Sequence, residues 1–150
     1  MCMAVCITRL LKYDILSTYG SMGQMRILSI DDETNFTDML KQYFELRGYE
    51  IDVTSRGFEG LDLLKRNKYD VVLLDLKMRG MSGEDILVEM GKMGLKVKTI
   101  FITAYNDTGK TKERLMKAGA YAFLEKPISS LKELETLVNG AVNGDDWKEL

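Results

Sequence analysis

Five side chains in this sequence have types and spacing that could do chemistry together: Asp31, Asp32, Asp75, Thr103 and Lys126. Asp75 ends the unbroken apolar run Val71-Val72-Leu73-Leu74. Such a run reads as a strand buried on both faces of a parallel sheet, and it accepts a charge at its carboxyl end rather than in its middle. Asp31-Asp32 close Ile27-Leu28-Ser29-Ile30 in the same way, Thr103 follows Thr99-Ile100-Phe101-Ile102, and Lys126 follows Tyr121-Ala122-Phe123-Leu124-Glu125. Three carboxylates at one edge repel each other unless a cation neutralises them or one holds a proton. Hard oxygen donors of this kind suit magnesium. Thr103 offers a hydroxyl and Lys126 a compact positive charge, which are what phosphate oxygens need. A carboxylate nucleophile, magnesium, a hydroxyl and a lysine together describe phosphoryl transfer to an aspartate. Each member alone has a bland reading: an acidic pair before a helix usually caps it, and Lys-Pro usually makes a turn. Their coincidence at successive strand ends is what argues for a site.

The elements that must position these residues alternate in type. After strand 27–30, Phe36, Met39, Leu40, Tyr43 and Phe44 recur at helical spacing and Gly48 stops the helix. Ile51 and Val53 mark a second strand; Phe58, Leu61 and Leu64 mark a second helix. Beyond strand 71–74, a loop rich in Gly and Met runs to Gly83, and Ile86, Leu87 and Met90 mark a third helix. Asn106-Asp107-Thr108 can cap a fourth helix that carries Leu115 and Met116 and ends at Gly119. Leu131, Leu134, Leu137, Val138 and Val142 line a fifth. Alternation of this kind implies parallel strands joined by right-handed crossovers. The expected fold is α/β, a flavodoxin-like (βα)5 doubly wound parallel five-stranded sheet in the order 2-1-3-4-5. In that order the first and third strands are neighbours, so Asp31, Asp32 and Asp75 meet at the switch point, where open α/β sheets bind ligands.

Composition narrows the function classes. The chain has 150 residues, a net charge of −2 and no histidine. One domain is expected at this length. The acidic balance argues against a nucleic-acid binder, and no apolar stretch approaches a membrane span. Without histidine, Ser-His-Asp and Cys-His catalysis are excluded, as is a phosphohistidine on the chain itself. Cys2 and Cys6 read as incidental thiols of a reducing compartment rather than a disulfide. Residues 1–24 read as a poorly ordered leader ending in a Gly/Ser linker, with a native start at Met25 or a short docking helix as alternatives. The domain is expected over 25–143, with a short tail from 144 to 150.

With these residues in view, the chain resembles the receiver domain of two-component response regulators, part of the CheY-like superfamily. The matching pieces are Asp31-Asp32, the run Asp75-Leu76-Lys77-Met78-Arg79-Gly80-Met81-Ser82-Gly83, Thr103-Ala104, Ala118-Gly119-Ala120 and Phe123-Leu124-Glu125-Lys126-Pro127. The resemblance implies that Asp75 is the phosphoacceptor. It implies that Asp31, Asp32, Asp75 and the backbone carbonyl of Lys77 hold Mg2+, and that Thr103 and Lys126 contact the phosphoryl group. Thr103 and Phe123 would form the switch, and Lys126-Pro127 would be a cis peptide. Lys77 and Tyr105 would flank the path of the hydrolytic water. The family usually has proline where Arg79 stands, so this loop is expected to be looser and the kinetics altered.

The resemblance further implies a cytoplasmic signalling switch, not an enzyme, that assists its own phosphorylation and dephosphorylation. Its donor would be a sensor histidine kinase or phosphotransfer protein. Its target would read the face formed by the fourth helix, fifth strand and fifth helix, with no direct nucleic-acid or membrane partner. Other readings are a phosphorelay carrier, a phosphorylation-independent interaction module and an aspartate-nucleophile phosphatase. The phosphatase would want an aspartate where Lys77 stands. Gly109-Lys110-Thr111 suggests a nucleotide loop, but Ala104 occupies the position of its first glycine. No output module is expected in the residues after the fifth helix.

Overall fold

A computed structural model describes residues 24–105 and 107–144. Most of the leader, Asn106 and the tail from 145 lie outside the described residues. The strands are β1 (Arg26–Ile30), β2 (Glu50–Thr54), β3 (Val71–Leu74), β4 (Lys98–Thr103) and β5 (Ala122–Glu125). The helices are α1 (Thr34–Leu46), α2 (Gly57–Arg66), α3 (Gly83–Lys92), α4 (Lys110–Lys117) and α5 (Leu131–Asn143). All neighbouring strands are parallel, in the expected order 2-1-3-4-5.

Both faces of the sheet are buried because successive strand residues alternate between two apolar layers. Ile27, Val71, Leu73, Ile100, Ile102 and Ala122 pack with Leu40 and Phe44 of α1 and Leu134, Leu137 and Val138 of α5. Leu28, Ile30, Val72, Leu74, Phe101 and Phe123 face the other way, toward Leu61 and Leu64 of α2, Ile86 and Met90 of α3 and Leu115 of α4. A continuous apolar strand is therefore required at β3, where all four residues are buried.

The helical spacing overstates the core at three positions. Met39 is 41% exposed, Phe58 64% and Val142 40%. At α2 the reason is close approach: Gly60 faces the sheet and Gly57 faces the β3–α3 loop. A Cβ on Gly60 would lie 2.4 Å from Ile30 Cδ1, and one on Gly57 2.9 Å from Met81 Cβ. With glycines on the inner face, Phe58 is turned outward.

Helix starts show where polar side chains replace missing backbone partners. The Ser82 hydroxyl accepts from the Asp85 N–H at 3.1 Å while the Asp85 carboxylate accepts from the Ser82 N–H at 3.0 Å, a capping box for α3. Ser130 accepts from the Glu133 N–H at the start of α5. At α4 the capping position is Gly109, in the left-handed region at φ 88°. The Asp107 carboxylate of the expected cap does accept from the Thr111 N–H, at 2.9 Å.

Candidate functional site

Parallel pairing sets the site. Ile30 is in register with Leu74, so Asp31 and Asp75 leave adjacent strands side by side. The Asp75 N–H donates to the Ile30 carbonyl at 3.0 Å, and the Asp31 N–H to the Thr54 carbonyl at 3.1 Å, which continues both ladders one step past the strands. Carboxylate oxygens of Asp31, Asp32 and Asp75 come within 4.8 Å of one another. Asp31 and Asp75 are buried, while Asp32 is exposed.

Thr103 arrives from the end of β4, with its side chain buried and its hydroxyl accepting from the Tyr105 N–H at 3.2 Å. Thr103 is in register with Glu125, so Lys126 follows at the same level, and its N–H donates to the Thr103 carbonyl at 2.8 Å. The Lys126–Pro127 peptide is cis. All five residues singled out by type and spacing are thus gathered at the carboxyl edge of the sheet.

The electrostatics follow from this crowding. Burial, and then the Asp31 charge, push the Asp75 carboxyl up to about 6, against the opposing pull of Lys126, the Thr103 hydroxyl and the Leu76 N–H. Burial alone would lower the Lys126 ammonium, but hydrogen bonds to Asp31 and Glu33 hold it above its ordinary range. The Lys126 ammonium lies 2.6 Å from an Asp31 oxygen and 3.0 Å from a Glu33 oxygen, and 4.4 Å from the centre of the Phe36 ring. The three acidic oxygen donors, one of them on a carboxyl raised by burial and then by like charge, are the donor set that a hard divalent cation relieves.

Two features were not anticipated from the sequence. Glu33 takes part in pairing Lys126; the available signal was its place directly after Asp31-Asp32. Gly83 packs against the acceptor strand so closely that a Cβ there would lie 2.3 Å from the Asp75 carbonyl oxygen. Among the remaining expected residues, Lys77 is exposed and its ammonium stands 3.6 Å from the centre of the Tyr105 ring. Phe123 is 7% exposed, already inside the core layer beneath α4. Arg79 is exposed in the loop after Asp75.

Comparison with known proteins gives the class. A family model described as Response regulator receiver domain matches residues 27–139. The chain belongs to this family, the receiver domains of two-component systems, which are phosphorylation-dependent signalling switches. It is 34% identical over 117 residues to the response regulator SaeR of Staphylococcus aureus, covering 75% of this chain and 48% of the relative. The chain therefore spans about half the length of the curated relatives it matches. Among solved structures, a response regulator receiver domain protein from Clostridium thermocellum is 34% identical, with a TM-score of 0.73 over 80% of this chain and 95% of the other. The response regulator TrrA from Thermotoga maritima, solved in complex with Mg2+ and BeF, is 33% identical, with a TM-score of 0.69 over 79% of this chain and 99% of that one. Among the described residues no helix is long and apolar enough to cross a membrane.

Proposed function

We propose that this protein is a two-component switch that accepts a phosphoryl group on Asp75 from a phosphohistidine of a sensor kinase or phosphotransfer protein. The observation that carries the reading is the buried Asp75 carboxylate, set among Asp31, Asp32, Thr103 and Lys126 at one sheet edge. Asp31, Asp32 and Asp75, with the Lys77 carbonyl, would hold magnesium, which when bound supplies positive charge to the carboxylates and to incoming phosphoryl oxygens.

An Asp75 oxygen attacks the phosphorus in line as the phosphorus–nitrogen bond breaks, and the imidazole of the donor leaves. The Lys126 ammonium exchanges carboxylate contacts for a phosphoryl oxygen, and the Thr103 hydroxyl turns to a second one. Asp75 reacts as the carboxylate, and its raised pKa makes that form scarcer as the pH falls. Hydrolysis by water returns the free carboxylate.

Phosphorylation adds about −1.5 to −2 charges at this edge. The group moving Thr103 also changes the packing over Phe123, and a target protein reads the resulting change on α4, β5 and α5. Because Phe123 is already buried here, the signal on this reading lies in a shift of its neighbours around the ring rather than in a large inward swing.

The test is phosphorylation by a small phosphodonor with magnesium. Wild-type protein should form an acyl phosphate that hydroxylamine cleaves, and Asp75→Asn should form none. Equal labelling of the variant would remove Asp75 from this role.

A further inference from the structure

We propose that Glu33 is a positioning residue that parks Lys126 in the unphosphorylated protein and so sets how readily that lysine engages a phosphoryl group on Asp75. The proposal rests on Asp75 being the acceptor. An ammonium has three donors. Two of those on Lys126 are committed, to Asp31 at 2.6 Å and to Glu33 at 3.0 Å, and the Phe36 ring covers another side at 4.4 Å. Both carboxylates belong to the connection between β1 and α1, and neither is the acceptor. The Lys126 side chain is only 12% exposed, so a change of partner is a change of pose rather than a release into water.

Asp31 and Glu33 are not equivalent anchors. Asp31 belongs to the acidic triad, and any cation bound there competes with Lys126 for its charge. Glu33 lies outside that triad, with its side chain 60% exposed. It keeps its hold on Lys126 when Asp31 is shared. Its backbone has separate duties: its N–H donates to Asp31 Oδ1 at 2.9 Å, and its carbonyl accepts from Phe36 and Thr37 at 3.1 and 3.2 Å. Its side chain makes no capping bond to α1. Glu33→Gln therefore weakens one ion pair and leaves the turn intact.

An interaction present in the resting state and absent in the phosphorylated one opposes the change of state. For a partly exposed pair the opposing effect is about two- to fivefold in affinity for the phosphoryl group. Loss of a negative charge near the site would also favour an anion, with no part for Lys126. A double-mutant cycle separates the two.

Beryllofluoride binding in excess magnesium is measured by calorimetry for wild type, Glu33→Gln, Lys126→Ala and the double variant. Glu33→Gln should bind about two- to fivefold tighter than wild type, and the gain should vanish in the Lys126→Ala background. Equal affinity, or a gain that persists without Lys126, would overturn the parking role. Hydrogen exchange of the Lys126 ammonium, followed by NMR in protein without metal or mimic, gives a readout independent of that binding. It should quicken in Glu33→Gln, and unchanged exchange would also overturn the proposal. If wild-type protein does not bind beryllofluoride at all while exchange quickens in the variant, the fault lies in the acceptor assignment rather than in the Glu33–Lys126 pair.

Discussion

The two sides of the sheet are held in different ways. On one side α1 and α5 bury Leu40, Phe44, Leu134, Leu137, Val138 and Ala141, and a polar strap ties them together. Glu135 of α5 accepts from the Tyr43 hydroxyl at 2.9 Å, from Arg47 at 2.8 Å and from the Tyr49 hydroxyl at 3.1 Å, and Tyr49 also reaches Asn139. On the other side α4 is the shortest of the described helices, the segment Lys-Thr-Lys-Glu-Arg-Leu-Met-Lys, and buries only Thr111 and Leu115. Its link to α3 is a partly exposed pair between Arg114 and Glu84 at 3.0 Å. With two buried side chains against three in α1 and four in α5, α4 is where local opening is expected to start. The contrast leads to the expectation that α4 yields more readily than α1 to a perturbation at the carboxyl edge.

The largest effect expected from breaking the frame is at Phe44, which is fully buried with edge-to-face contacts to Tyr43 and Tyr49. Phe44→Ala should cost about 3–5 kcal/mol of global stability, whereas Leu115→Ala should fall near about 2 kcal/mol, the low end for a buried leucine. Urea denaturation gives the totals. Hydrogen exchange should show protection lost across the sheet in the first variant and chiefly in α4 in the second. Similar patterns would erase the contrast between the two sides.

The edge between the two sides carries a cost of its own. The Asp75 carboxyl is raised from 3.8 to about 6, so the folded chain holds that proton more tightly than the unfolded one. A raised carboxyl favours the fold below about pH 4, and the advantage is lost as pH rises through about 6. At pH 7, in chelator, Asp75→Asn should therefore be more stable than wild type by about 1–2 kcal/mol once solvent screening is allowed for, with the difference closing toward pH 4. Thermal unfolding at stepped pH checks it. A difference that does not change with pH would mean that burying an ionised Asp75 beside Asp31 is not what strains the edge.

The polar strap should contribute less than the apolar layer. Burial raises the Glu135 carboxyl, but Tyr43, Arg47 and Tyr49 outweigh it and hold the group below its ordinary range. Glu135→Gln should cost about 1–2 kcal/mol in denaturant and should loosen α5 relative to α1. A neutral result would leave the apolar contacts as the sole frame.

Much of this was legible from patterns of short range. Val71–Leu74 and Thr99–Ile102 announced buried strands, and a chemically distinctive residue directly after each strand announced the site. The strap was not legible, because Tyr43 and Glu135 are 92 residues apart and a tyrosine or glutamate on a helix surface carries no sign of its partner. Phe58 lies outside the core that its spacing suggests, because apolar periodicity does not register that Gly60 packs against Ile30 of β1 and Gly57 against Met81 and Ile86, which leaves no room for a larger inner face. The pairing of Glu33 with Lys126 depends on a side-chain pose across adjacent loops, which strand order narrows but does not decide.

The smallest expected effect lies over the acceptor itself. Lys77 comes from the β3–α3 loop on the acceptor side and Tyr105 from the β4–α4 loop that leads to the weakly held helix. Their contact, ammonium to ring centre at 3.6 Å, bridges the two. Water that hydrolyses an acyl phosphate must approach the phosphorus in line from outside. Neither side chain is a carboxylate or amide suited to orienting that water, as glutamine does in GTPases. A cation held over a ring is worth about 0.5–1 kcal/mol at exposed sites, so the pair is a modest cover rather than a seal. Lys77 can also pair with phosphoryl oxygens, which stabilises the ground state more than the transition state. Exposed Arg79 adds a charge to the same loop. The combined substitutions Lys77→Asn and Tyr105→Glu remove the stack and supply polar groups able to orient water. Phosphate release from the purified phosphorylated protein in excess magnesium should speed up by about two- to fivefold, the rate equivalent of the lost cation–π contact. Unchanged or slower release would mean that the Lys77–Tyr105 bridge does not guard the acceptor.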